Sequence, residues 1–142
     1  MRAEITPQYI AGFLDGEGCF SLTWRGKGER RSMQACIVVS STNREVLEKI
    51  KDYLNAGHIY ERKRPTEGGL KFYTLFISGF DTLKRVIPIF LPYLIVKRRQ
   101  AELLLELCQI HKKGSRWRPR EYSERELEIY EELRHLNRKK AR

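Results

Sequence analysis

The chain has 142 residues, with 28 Lys and Arg against 18 Asp and Glu and a formal net charge of +10. That length suits one domain with its own core, and no apolar run reaches the roughly 18 residues a membrane span needs. The first residues do not read as a secretion signal. Three cysteines without a C-x-x-C pair argue against a disulfide frame or a zinc site and fit a reducing interior, the prokaryotic cytoplasm or an organelle. The cationic excess favours a polyanionic partner, nucleic acid before a membrane surface.

Thr6 and Pro7 read as the N-cap and first residue of a helix. Gly12 costs that helix about 1 kcal/mol relative to Ala, which suggests that something must approach closely where Ala11 and Gly12 present almost no side chain. The helix is expected to stop at Gly16 and to deliver Asp15 and Glu17 at its C-terminal end. The dipole is negative there, so two carboxylates call for a cation. A metal site where two such helices meet would supply it.

Residues 19–24 alternate as a strand, followed by a turn at Gly26-Lys27-Gly28 and a second strand over 31–40. Thr42 and Glu45 form a capping-box pattern for the next helix, whose apolar stripe ends at Asn55-Ala56-Gly57. Residues 58–64 and 70–78 make a second hairpin around Pro65-Thr66-Glu67-Gly68-Gly69. A helix over 80–90 is expected to be interrupted at Pro88, and another to run from about 92 to 113. Residues 114–121 read as a basic linker. Ser123 and Glu126 cap a last, charged helix to about 140, expected to be a solvated helix with Glu–Arg pairs one turn apart.

Two hairpins in one antiparallel sheet with helices on one face make an α+β domain over 1–142, with its core at about 5–112. Alternation puts Ser21, Thr23, Arg25, Lys27, Ser32, Gln34, Cys36, Val38, Ser40, Tyr60, Arg62, Arg64, Thr74 and Phe76 on the opposite face. Arg30, Arg31 and Lys71 add cations at the hairpin tips. Side chains able to reach base edges and phosphates dominate this set, which suits a β-ribbon in the DNA major groove. Val38, Tyr60 and Phe76 argue for an interface, since water does not favour them.

Ile10-Ala11-Gly12-Phe13-Leu14-Asp15-Gly16-Glu17-Gly18 resembles the nine-letter core of the LAGLIDADG homing endonucleases, and the likeness extends from about 7 to 109. It implies an αββαββα fold whose curved four-stranded sheet straddles double-stranded DNA, here with an extra C-terminal helix. One copy of the signature implies a homodimer paired through the signature helices, with Ala11, Gly12 and Asp15 at the contact. Glu17 falls at the family's metal-binding acid, and the Gly16 carbonyl where a backbone oxygen also binds metal. Lys97 aligns with a basic residue near the scissile phosphates. Ser41 or Ser40 lies where a polar residue holds water by the metal, and Arg44 supports the site.

The resemblance therefore implies intron homing: a Mg²⁺-dependent endonuclease that cuts both strands of a long pseudo-palindromic target. Other divalent cations are open as substitutes, and so is an RNA partner. The alternative is a non-catalytic nucleic-acid binder such as an intron RNA maturase. Two departures stand out: Glu17 replaces the more common Asp, and the water-holding position is a small Ser. His58, His111 and His135 lack the spacing of a His-metal nuclease. Glu61-Arg62-Lys63, an acid-x-Lys triplet with Asp52 nearby, is commonplace in a chain with 32% charged residues.

Overall fold

The computed structural model describes residues 4–28, 31–63, 68–111 and 122–140. Arg30, Arg64, residues 65–67 of the second turn and the 114–121 linker lie outside the described residues. The elements run α1 (Pro7–Glu17), β1 (Gly18–Arg25), β2 (Ser32–Ser41), α2 (Arg44–Leu54), β3 (His58–Lys63), β4 (Lys71–Ser78), α3 (Phe80–Phe90), a 3₁₀ turn (Leu91–Tyr93), α4 (Arg98–Ile110) and α5 (Glu124–Lys140). No helix among the described residues is long and apolar enough to cross a membrane.

The strands form one antiparallel sheet in the order β1-β2-β4-β3, so both hairpins place their second strand at the centre. Phe20 faces Ile37, which faces Ile77. These three, with Val39 and Leu75, are at most 1% exposed. They meet Ile10 and Leu14 of α1, Leu47 and Ile50 of α2, Val86 and Phe90 of α3, and Leu104 and Leu107 of α4 in one core. The α+β expectation, with helices on one face of four strands, holds.

Several boundaries differ from expectation. α1 continues through Gly16 to Glu17 and ends where the Gly18 N–H bonds the Leu14 carbonyl. The cap of α2 is Asn43 rather than Thr42: its side chain accepts from the Val46 N–H at 3.1 Å. α3 runs unbroken through Pro88, which is exposed, so water can reach the carbonyl that proline leaves unbonded. The helix expected from residue 92 starts only at Arg98, after the 3₁₀ turn and four further residues.

The largest correction concerns α5. Ser123 and Glu126 do form the expected capping box, with Ser123 N–H on the Glu126 carboxylate and Glu126 N–H on Ser123 Oγ. The helix is no solvated appendage, however: Glu126, Ile129 and Leu133 are 1% exposed or less. Arg125 grips Glu106 and Arg99 grips Glu132 between α4 and α5, at 2.6 and 2.7 Å. Tyr122 Oη accepts from the Met33 N–H, and Asn137 donates to the Phe20 carbonyl of edge strand β1. A covered edge cannot recruit a foreign strand.

Candidate metal site and nucleic-acid interface

Thr6 and Pro7 start α1 as its sequence dictates, Thr6 Oγ1 accepting from the Tyr9 N–H at 3.1 Å. Ile10, Ala11 and Leu14 turn into the core, which leaves Gly12 and Gly16 on the exposed side one turn apart. A side-chain carbon added at either glycine would meet nothing within 4 Å. Ala11 is 0% exposed, so its methyl packs within its own protomer. Of the residues expected at a helix contact, Ala11 is thus turned into the chain's own core, while Gly12 is on the exposed side of α1 with Gly16.

Glu17 is exposed at the last helical position, beside the exposed Gly16. The negative end of the α1 dipole is compensated from within the chain. Lys97 is 2% exposed, and its ammonium donates to the Leu14 carbonyl at 3.1 Å and to the Gly18 carbonyl. Asp15 answers in the other direction: its carboxylate accepts the N–H groups of Ile95, Val96 and Lys97 at 2.8, 3.2 and 3.0 Å. Each charge thus sits on backbone dipoles of the other's element, a reciprocal clamp around the turn that carries Glu17.

The Asp15 carboxylate is thus bonded to the chain's own backbone, and the Lys97 ammonium lies on main-chain oxygens at the foot of α1, close to the turn that carries Glu17. The cations at 97–99 do have anions nearby: Asp15 for the backbone at 97, Glu102 for Arg98 and Glu132 for Arg99.

Ser41 Oγ accepts from the Asn43 N–H at 3.0 Å and so shapes the entry to α2. Arg44 donates to Glu48 at 2.7 Å and lies 5.4 Å from the centre of the Tyr73 ring. Ser40 is on the open face instead, its hydroxyl 2.8 Å from that of Thr74.

The sheet register bears out the alternation. Ser21, Thr23, Arg25, Ser32, Gln34, Cys36, Val38, Ser40, Tyr60, Arg62, Thr74 and Phe76 share the face turned from the helices. Cys36 and Thr74 are nonetheless nearly buried in the middle of that face, at 4 and 5%. Burial pushes the Cys36 thiol up, and Ser21 Oγ lies 3.0 Å from it. Lys27 lies in the first turn. Arg31 and Lys71 follow the other parity: Arg31 stacks 4.3 Å over the Trp24 ring, and Lys71 pairs with Glu61 at 3.2 Å. Cys19, His58, Phe72 and Ser78 also belong to the open face and were missed. Each sits at a strand end, where period-two alternation is shortest, although parity alone would have found them.

No group of three or more His, Cys, Asp or Glu residues that could hold a metal ion occurs among the described residues. The donors at the foot of α1 are hard oxygens, the Glu17 carboxylate and the Gly16 carbonyl, which suit Mg²⁺ or Ca²⁺ rather than a soft metal. They are too few for a complete shell.

A family profile described as LAGLIDADG endonuclease matches residues 10–111. Among solved structures, the homing endonuclease I-CvuI, crystallised with the I-CreI target in the presence of Mg, is 26% identical with a TM-score of 0.61, over 72% of this chain and 65% of that one. I-AabMI bound to uncleaved DNA is 29% identical with a TM-score of 0.59, over 75% and 37%. An archaeal intron-encoded endonuclease, I-Vdi141I, complexed with DNA, shares the fold over 92% and 96% at 21% identity and a TM-score of 0.60. A reverse gyrase of Methanocaldococcus jannaschii is 36% identical over 80 residues, 55% of this chain. The chain spans only 5% of that relative's length, so the match bears on a segment of it and not on its named activity.

Proposed function

The chain belongs to the LAGLIDADG endonuclease family, and from that premise we propose that it is a site-specific double-strand DNA endonuclease working as a homodimer in the prokaryotic cytoplasm or an organelle. The observation that carries the reading is the foot of α1. An exposed Glu17 stands beside Gly16 and Gly12, on a helix face bare enough for a second copy to approach. Exposed apolar side chains flank that helix: Tyr9 at 49%, Ile95 at 85% and Val96 at 69%. Two copies meeting there would bring two Glu17 carboxylates together.

Divalent cations, with Mg²⁺ the expected one, would be held by Glu17 and the Gly16 carbonyl, where they would neutralise phosphate charge and activate water. The chain's own residues do the positioning. Lys97 and Asp15 fix the turn on which Glu17 stands, so the carboxylate meets the phosphates without first being ordered. Ser40 and Thr74 supply hydroxyls on the adjoining face, while Ser41 and Arg44 set the entry to α2 behind it. Arg25 and Lys27 grip backbone; Gln34 and Arg62 read base edges, Gln suited to adenine and Arg to guanine.

Glu17→Gln tests the assignment. Strand cleavage with Mg²⁺ should be lost while DNA binding survives, because the metal ligand goes and the phosphate and base contacts remain. Cleavage at the wild-type rate would overturn the site. The maturase or other non-catalytic reading draws on one observation, the Lys97 ammonium bonded to two main-chain carbonyls of its own chain. Wild-type protein that binds DNA or intron RNA and never cuts would favour it.

A further inference from the structure

Arg85, on α3, differs from its counterparts. Arg44, Arg98, Arg99 and Arg125 each pair with a glutamate. Arg85 instead donates through Nη1 to the Leu54 carbonyl and through Nη2 to the Asn55 carbonyl, both at 2.9 Å. Those oxygens close α2, where Asn55 turns left-handed at φ 50°. Two of the five guanidinium donors are thereby used, and the planar group is held in place with the rest still able to donate.

The fixed guanidinium lines a cleft of about 190 Å³ together with Gly57, His58, Phe76, Ser78 and Thr82. The cleft has a cation, an imidazole and two hydroxyls in its lining and no carboxylate, in a chain where acids are plentiful. Its wall is tightly specified: a side-chain carbon at Gly57, φ 101°, would come within 2.9 Å of Ile77 and Leu75. His58 faces Phe76 across β3 and β4, and Phe76 faces Val38, all on the open face of the sheet. Three lining residues of the cleft, His58, Phe76 and Ser78, thus belong to the open face at its β3 side, across the strands from Cys19. Capping α2 accounts for the two carbonyl bonds of Arg85. It does not call for an acid-free, hydroxyl-lined recess around them.

We propose that this cleft grips one backbone phosphate of the DNA lying on the open face, an inference that rests on the DNA-binding reading above. The guanidinium presents its remaining N–H groups to the phosphate oxygens, and the Ser78 and Thr82 hydroxyls donate beside it. Such a contact carries no base information. It fixes how the β3 rim seats on the duplex, and so the register in which Arg62 and Gln34 meet their bases.

The test compares wild type with Arg85→Gln and Thr82→Glu on one target duplex across a salt series. Thr82→Glu changes none of the groups that bond α3 to α2 and puts a carboxylate in the first turn of α3, where the dipole tolerates it. It thus stands even if Arg85→Gln unfolds. Both variants should lower the slope of log Kd against log salt by about one per protomer, with base preferences unchanged. A single methylphosphonate per half-site should reproduce the loss in wild type and add nothing in the variants. Wild-type slopes in both variants overturn the contact, and saturable uptake of inorganic phosphate alongside such slopes assigns the cleft to free phosphate instead. Wild-type protein that binds no duplex at all overturns the proposed function and this contact with it.

Discussion

Asp15 and Glu17 are two residues apart and carry the same charge, yet the fold gives them opposite tasks. Asp15 reaches three N–H groups far on in the chain, at 95–97, while Glu17 is left exposed on the last turn of α1. Asp15→Ala would leave those N–H groups without their acceptor and the Lys97 ammonium without the partner element that answers it. A loss of roughly 1–3 kcal/mol is expected in denaturant unfolding, with Asp15→Asn milder because one acceptor oxygen survives. Unchanged unfolding in both would mean that water replaces the carboxylate without penalty. Lys97 is 2% exposed and its ammonium is bonded to carbonyls, so in the chain alone it holds the end of α1 in place.

At the scale of elements, α1 makes the sharper prediction. Nothing in the protomer lies within 4 Å of a carbon added at Gly12, and glycine costs a helix about 1 kcal/mol relative to Ala. Gly12→Leu should therefore leave the protomer fold intact or firmer. In a close helix pair the same side chain would overpack by about 1–3 kcal/mol or more, so sedimentation should show the dimer lost while unfolding of the monomer is unimpaired. A variant that stays dimeric would move the contact off this face. α5 answers to acid instead. The hydrogen bond from Arg125 holds Glu106 below its ordinary 4.5, and Arg99 does the same for Glu132. A depressed folded value means that the stabilisation is present above the unfolded value and is lost as pH falls through the folded one. The gap in melting temperature between wild type and Glu106→Gln should thus be open at pH 7 and close below 4.5. It should be small, and smaller in salt, because both partners are more than a third exposed. A gap that does not narrow at all as pH falls below 4.5 would assign the difference to packing.

For the molecule as a whole, two copies of one reading face related by a dyad can match only half-sites related by the same symmetry. The target should be long and nearly palindromic. Changing Gln34 or Arg62 should relax preference at particular symmetric positions, by about 1–3 kcal/mol per good bidentate pair, in selection from a randomised target library. A uniform loss across all sequences would show that the face grips backbone alone. The net charge of +10 adds steep salt dependence to either outcome.

The helix start at Thr6 and Pro7, the two hairpins, the open face and the exposed acid at Glu17 follow from the sequence alone. Each rests on interactions between near neighbours: a cap three residues from its donor and a strand that alternates every second residue. Family membership was legible for the same reason, since the nine residues from Ile10 to Gly18 form one continuous turn-and-helix unit. What only the tertiary structure decided lies between groups some 80 residues apart or more, namely Asp15 with residues 95–97, Lys97 with Leu14 and Gly18, and Asn137 with Phe20. Charge counting could ask for an anion near 97–99 but could not say that it stands at 15. Nor could the polar pattern of α5 reveal a buried seam, because two core residues and one buried glutamate hold it there. Local periodicity fixes which face of an element is apolar; which partner covers that face is settled by packing in three dimensions.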